Sequence, residues 1–309
     1  MPMRILFVSV LTALLAGCAA STHATRKSTL GVPRTSAELL AVIDQPGPVE
    51  LETVASCDWK VDRSGLINLD HPRAKEAGLA DGPEDIQVFF HVLRHPEHGT
   101  FIVDTGVEKA LRDEPDKAAM RGMLASFMKI DTMKFHEPLG DWLAKQEKPL
   151  QGVFLTHLHM DHVAGMADVP AGTAVYMGPG ETSAHAVLNA FVQGSTDRAL
   201  QGKAALNEWA YQADAAGRFA GVLDIFGDGS VWALWVPGHT PGSTAYLVRT
   251  TKGPVLLTGD ASHTRWGWEH DVEPGTFSGD IPRSAESFKR LRQLATEHPA
   301  LDVRFGHQH

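Results

Sequence analysis

The sequence predicts one large domain of mixed α and β structure. Short β-rich apolar runs recur from Ile86 to Phe305, most of them bounded by glycine or proline. Helix-like segments fall late in each half. The clearest covers 284–297, with Phe288, Leu291 and Leu294 at helical spacing. Hydrophobic residues make up 43% of the 309, enough for a large core, and no tract is of low complexity.

The elements follow in chain order. Residues 1–17 read as a signal peptide, with Arg4 as a positive start and an apolar stretch over 5–15 that is too short to span a membrane. Leu15-Ala16-Gly17-Cys18 resembles the lipobox of bacterial lipoproteins. That resemblance implies export and a lipid on Cys18. With Ala19 rather than Asp next, it implies sorting to the outer membrane, facing the periplasm. Cys57, the second of 2 cysteines, is then alone, and no internal disulfide is expected. Residues 18–48 are rich in Ser, Thr, Ala, Gly, Arg and Pro and read as a tether, with a short helix over 36–44.

The main domain is expected over 49–309. Strands are predicted over 86–93 and 100–103, joined by the turn Pro96-Glu97-His98-Gly99. Residues 109–135 read as helix or loop, and 139–145 as a helix. A buried strand over 152–155 and a short one over 173–177 follow. Helices are expected over 183–191 and 204–210. Strands over 222–225, 231–236, 243–248, 255–258 and 301–305 flank the long helix.

The net charge of −9 and the lack of any Lys/Arg block exclude nucleic acid as a partner. The chemistry is concentrated in His157-Leu158-His159-Met160-Asp161-His162, at the end of the 152–155 strand. Imidazole and carboxylate suit zinc. Four such groups on one loop exceed what one ion takes from one segment, which points to two adjacent ions. His239, Asp260 and His307 each follow an apolar run and sit beside glycine, as ligands on strand-end loops do. Most of the 16 histidines lie among polar or turn residues and read as ordinary surface groups.

With Asp104 in Asp104-Thr105-Gly106, these segments form five ordered motifs. They resemble the metallo-β-lactamase superfamily over roughly residues 85–309. The resemblance implies a four-layer αββα sandwich and two Zn2+ per chain. His157, His159 and His239 would hold one ion, and Asp161, His162 and His307 the other. Asp260 would bridge both. It also implies that Asp161 shuttles a proton to the leaving group and that Asp104 orients the metal loop. His159 stands where oxygen-reducing relatives carry Glu, and true β-lactamases lack the bridging Asp.

Within the superfamily the chain looks most like the N-acyl homoserine lactone lactonases. Phe305-Gly306-His307, Gly259-Asp260-Ala261 and a long insert before the metal loop carry this likeness. The implied function is lactone-ring opening by attack of a metal-bridging hydroxide. The alternatives are another neutral ester, such as an organophosphate triester or aryl ester, or a β-lactam. A catalytically silent metal-binding lipoprotein is disfavoured by the complete ligand set.

His263 occupies the place where those lactonases often carry Tyr, and a substrate-facing role is expected of it. Met120, Met123, Phe127, Trp266 and Trp268 are expected to form an apolar substrate funnel or, alternatively, to pack the core or a homodimer contact.

Overall fold

The computed structural model describes residues 18–308. The expected signal peptide, 1–17, lies outside the described residues, as does His309. Three short strands come first: Cys18–Ala19 (β1), Thr25–Lys27 (β2) and Val32–Arg34 (β3). A long antiparallel pair follows, Glu50–Asp62 (β4) and Pro83–His95 (β5). Gly99–Val103 (β6), Lys134–Phe135 (β7), Leu150–Phe154 (β8), Ala174–Met177 (β9), His185–Ala186 (β10) and Leu206–Glu208 (β11) complete the first half. The second half carries Gly221–Asp224 (β12), Val231–Trp235 (β13), Thr244–Thr250 (β14), Gly253–Leu257 (β15) and Asp302–Arg304 (β16). One sheet runs β2-β11-β9-β8-β6-β5-β4-β7 and the other β16-β15-β14-β13-β12-β3.

The two-residue period of the strands builds the layers. In β13, Val231 and Ala233 face the space between the sheets, while Trp232 and Leu234 face outward. In β14, Tyr246 and Val248 point in, and Ala245 and Leu247 point out. Phe101, Val103 and Phe154 meet them from the first sheet, whose Ile102 and Val153 face the opposite way. Helix Ile281–Glu297 covers the second sheet with Leu291 and Leu294. Three apolar layers thus separate four structural ones, the αββα sandwich expected.

Four readings change. Residues 18–48 are not a loose tether. β2 pairs with β11 at the edge of one sheet, and β3 pairs with β12 at the edge of the other. The expected short helix is Ser36–Leu40, closed by a capping box between Thr35 and Glu38. Backbone pairing to exposed sheet edges ordered a segment whose composition alone suggested flexibility. β4 was not expected. Its register shifts between Ala55 and Cys57, and that bulge breaks the alternation that would have marked a strand.

Residues 204–210 hold strand β11 rather than a helix, because two parallel neighbours outweigh their helical propensity. The helix expected over 183–191 is instead the strand β10 followed by Asn189–Ala199.

The first segment is also locked by Asp214. Its buried carboxylate accepts from the backbone N–H of Ser36 (3.0 Å), Ala216 (3.1 Å), Arg218 (2.9 Å) and Phe219 (3.1 Å). Asp214→Ala leaves several of these donors without a partner. It should cost at least about 2 kcal/mol of unfolding free energy, measured by urea denaturation.

Candidate metal centre

The metal-ligand loop leaves the C-terminal end of β8. His159 is the N-cap of a one-turn helix, Met160–Val163, which carries Asp161 and His162. Asp104 holds the loop in place. It adopts a left-handed backbone (φ 57°), which a short polar side chain tolerates. Its carboxylate accepts from Thr156 N–H (2.8 Å), from the Thr156 hydroxyl (2.9 Å) and from His162 Nδ1 (2.8 Å). The next residue, Thr105, donates its N–H and its hydroxyl to the His162 carbonyl.

The remaining ligands come from the second sheet. His239 follows β13, Asp260 sits in the single turn Gly259–Ala261 after β15, and His307 follows β16. Glycine is required here by space. A Cβ on Gly306 would lie 2.2 Å from Asp260 Oδ1, and one on Gly259 would lie 2.7 Å from Thr156 Cβ.

Two groups of potential ligand atoms result, each within 4.8 Å of one another: His157, His159, His239 and Asp260, and Asp161, His162, Asp260 and His307. Asp260 belongs to both. Its Oδ1 lies 3.3 Å from His162 Nε2, and its Oδ2 lies 3.5 Å from His239 Nε2 and 3.4 Å from His307 Nε2.

The outer ring nitrogens fix the tautomers. His162 Nδ1 donates to Asp104, and His307 Nδ1 donates to the Gln87 carbonyl at 3.0 Å. That leaves the Nε2 lone pairs facing inward. His239 Nε2 lies 2.9 Å from His159 Nδ1 and 3.2 Å from His157 Nε2, so three ring nitrogens converge on one point. The buried His162 Nε2 and Asp260 Oδ1 have no hydrogen-bond partner.

Electrostatics agree. Burial, then the neighbouring imidazoles, hold His157 and His239 well below the usual histidine range, as neutral donors. Burial also lowers His307, but Asp260 and Asp161 outweigh it and draw it up to about 10. Burial raises Asp260, yet His263, His307 and His162 hold it well below the carboxylate range. Burial lowers His162 too, but Asp260 and Asp104 outweigh it and draw it well above the usual histidine range. Carboxylates that pull positive charge onto the imidazoles facing them, beside neutral imidazoles and orphaned inward atoms, fit divalent cations.

A third group, His95, His98 and Asp228, does not fit one. His95 Nδ1 accepts the N–H of Glu97 and of His98, so the proton sits on Nε2 and is donated to Asp228 at 2.9 Å. It clamps two turns together.

The centre forms the floor of a cavity of about 510 Å³. His159, Asp161, His239, Asp260 and His307 reach its floor; Trp59, Val61, Leu66, Ile86, Met128 and Phe277 supply apolar wall. The expected funnel residues are elsewhere. Met120 is buried in the core, and Met123 and Phe127 face solvent. Trp266 stacks on His270, and Trp268 packs on Phe288 and Phe305. None of the five is among the cavity-lining side chains.

His263 is also corrected. It is buried, with Nδ1 donating to the Leu66 carbonyl at 3.0 Å and Nε2 3.1 Å from Asp260 Oδ2. It backs Asp260 and does not line the cavity.

One positioning residue escaped the sequence. Glu181 is buried and accepts from Leu158 N–H (2.8 Å), Gly242 N–H (2.7 Å) and the Thr240 hydroxyl (2.5 Å). It ties the 157–162 loop to the His239 loop. Only its place beside the turn Gly178-Pro179-Gly180 hinted at a role.

Asp104→Asn replaces an acceptor of three hydrogen bonds by a weaker one. It should lower zinc affinity by about 10- to 100-fold in chelator competition, with the fold intact by circular dichroism. Asp260→Asn should lower the metal content found by elemental analysis, since Asp260 belongs to both candidate groups and a neutral amide offsets cationic charge poorly.

The profile of the Metallo-beta-lactamase superfamily matches residues 83–307. N-acyl homoserine lactonase AttM of Agrobacterium fabrum is 31% identical over 152 residues, 49% of this chain and only 56% of that protein. AttM of Azorhizobium caulinodans is 28% identical over 229 residues, covering 72% of this chain and 82% of its own length. A crystal structure of a quorum-quenching N-acyl homoserine lactone lactonase superposes with a TM-score of 0.60 at 20% identity, over 86% of this chain and 94% of that one. AidC, a dizinc quorum-quenching lactonase, superposes at 0.56 and 16% identity, over 91% and 92%. At these identities the solved structures share the fold.

Proposed function

The chain belongs to the metallo-beta-lactamase superfamily and is a hydrolase of that fold; we propose that it opens lactone rings, N-acyl homoserine lactones in particular, with two zinc ions at the shared Asp260 centre. One observation carries the reading: the paired ligand groups form the floor of an apolar cavity of about 510 Å³. A neutral ring fits the floor and an acyl tail fits the wall. The lactonase relatives support the same substrate class.

His157, His159 and His239 would hold one ion, Asp161, His162 and His307 the other, and Asp260 both. When bound, such a pair supplies Lewis acidity and lowers the pKa of water toward neutrality. The chain's own residues do the rest. Trp59, Leu66 and Ile86 exclude water from the tail side and orient the ester bond toward the floor.

Asp161 keeps part of its side chain open to the cavity, with Oδ2 3.2 Å from His307 Nε2. Burial raises it, but His162 and His307 outweigh burial and hold it ionised. It takes the proton of the attacking water and returns it to the departing alkoxide. Asp104 and His263 lie off the cavity lining, and with Glu181 they hold the residues of the floor.

Measured on zinc-loaded protein, kcat/KM should rise with acyl length, by up to about fourfold per buried methylene. Trp59→Ala should flatten that rise, costing long-chain lactones about tenfold and short ones little. Rapid hydrolysis of a phosphotriester or aryl ester, with no lactone of any length opened, would overturn the substrate assignment.

A further inference from the structure

Seven large apolar side chains stand exposed among the described residues, and six of them sit on the elements that border the cavity mouth. Met123 (91% exposed) and Phe127 (71%) lie on the helix that precedes cavity-lining Met128. Val187, Leu188 and Phe191 lie at the junction of β10 and helix Asn189–Ala199, where Ala186, Leu188 and Val192 line the cavity. Phe277 lines it directly. Val32, the exception, is on β3 at the edge of the other sheet. Exposed apolar groups gathered around one opening mark an interaction surface.

Cys18 is at the same rim. β1 pairs Cys18 with Ala186 and Ala19 with His185. Asn189 Nδ2 donates to the Cys18 carbonyl at 3.0 Å, and Gln193 Nε2 donates to the Ala19 carbonyl at 2.8 Å. Ala20 lines the cavity. The Cys18 thiol is free and exposed.

We propose that this rim docks on the bilayer that holds an acylated Cys18, so that the cavity mouth opens toward the membrane and receives apolar-tailed esters from the lipid phase. The inference rests on the lipobox reading of residues 15–18 and not on which ester is cleaved. In that chemistry the Cys18 sulfur displaces the headgroup phosphate of a phospholipid, losing its proton and gaining a thioether to the diacylglyceryl group. Water then cleaves the Gly17–Cys18 peptide bond.

No flexible span separates the anchor from the fold, because Cys18 is itself strand-paired. The acyl chains therefore hold this rim, and no other face, against the headgroups. The two chains of the diacylglyceryl group suffice for attachment, and the apolar rim decides which face lies on the bilayer. With a net charge of −9, attraction to anionic lipid does not substitute for it. Among the described residues no helix is long and apolar enough to cross a membrane, so contact is at the surface.

The test uses the full chain, recovered from bacterial membranes and reconstituted in phosphatidylethanolamine/phosphatidylglycerol vesicles. Cys57 is buried and an acylated Cys18 is blocked, so Val187→Cys gives one accessible thiol for an environment-sensitive fluorophore. Val32→Cys is the control on the other sheet. Expected are a diacylglyceryl mass on Cys18 and quenching by doxyl-labelled lipid at least about threefold stronger at position 187 than at 32.

Unmodified Cys18 would overturn the anchor and the proposal with it. Equal quenching at both positions would overturn the docking alone. Blue-shifted emission at 187 that ignores the lipid quencher would assign the rim to a second copy instead, and would also overturn it. Lactone turnover assayed on the same samples keeps the substrate reading separate.

Discussion

Everything at the open end of the sandwich depends on one constraint: seven ionisable side chains must be held together, largely out of water, with their lone pairs converging. Left alone, such a group would repel, protonate or turn outward. Two buried carboxylates prevent this. Asp104 gathers Thr156 and His162, and Glu181 gathers Leu158, Thr240 and Gly242. Asp104, after β6, takes all its donors from the loop after β8, and Glu181 takes donors from the loops after β8 and β13. The ligand geometry is therefore set by hydrogen bonds made before any ion arrives, and the sandwich supplies the rigid strand ends from which those loops hang.

The metal-centre candidates were legible because their signal is local. His157 to His162 fall within six residues, and His239, Asp260 and His307 each stand beside a glycine that the packing requires. The second sheet was legible for a similar reason, since β13 and β14 alternate cleanly between two apolar layers. Glu181 was not legible. A buried glutamate bound to three backbone and hydroxyl donors looks, in sequence, like any glutamate beside a turn. Its role exists only once β9 has brought it between two loops distant in the chain.

The cavity wall was misplaced for a related reason. Methionine and tryptophan suggest a pocket by composition, but composition has no direction. Trp268 packs between Phe288 and Phe305, while Trp59, which does line the cavity, lies on a strand whose bulge hides its period. His263 shows the same limit. The resemblance implied a substrate contact at this position, but the side chain is turned toward Asp260 and the Leu66 carbonyl. A motif specifies spacing along the chain; which face the side chain takes depends on what occupies the other one.

The N-terminal segment links these points. It crosses from the edge of one sheet to the edge of the other through β2 and β3, and β1 lies against the cavity rim. A segment that only tethered the domain would leave its orientation free. One paired through β1, β2 and β3 fixes Cys18 beside the cavity rim. The direction in which the cavity opens is then fixed relative to the chain's first described residue. Orientation becomes a property of the fold, set by the same backbone pairing that protects the sheet edges.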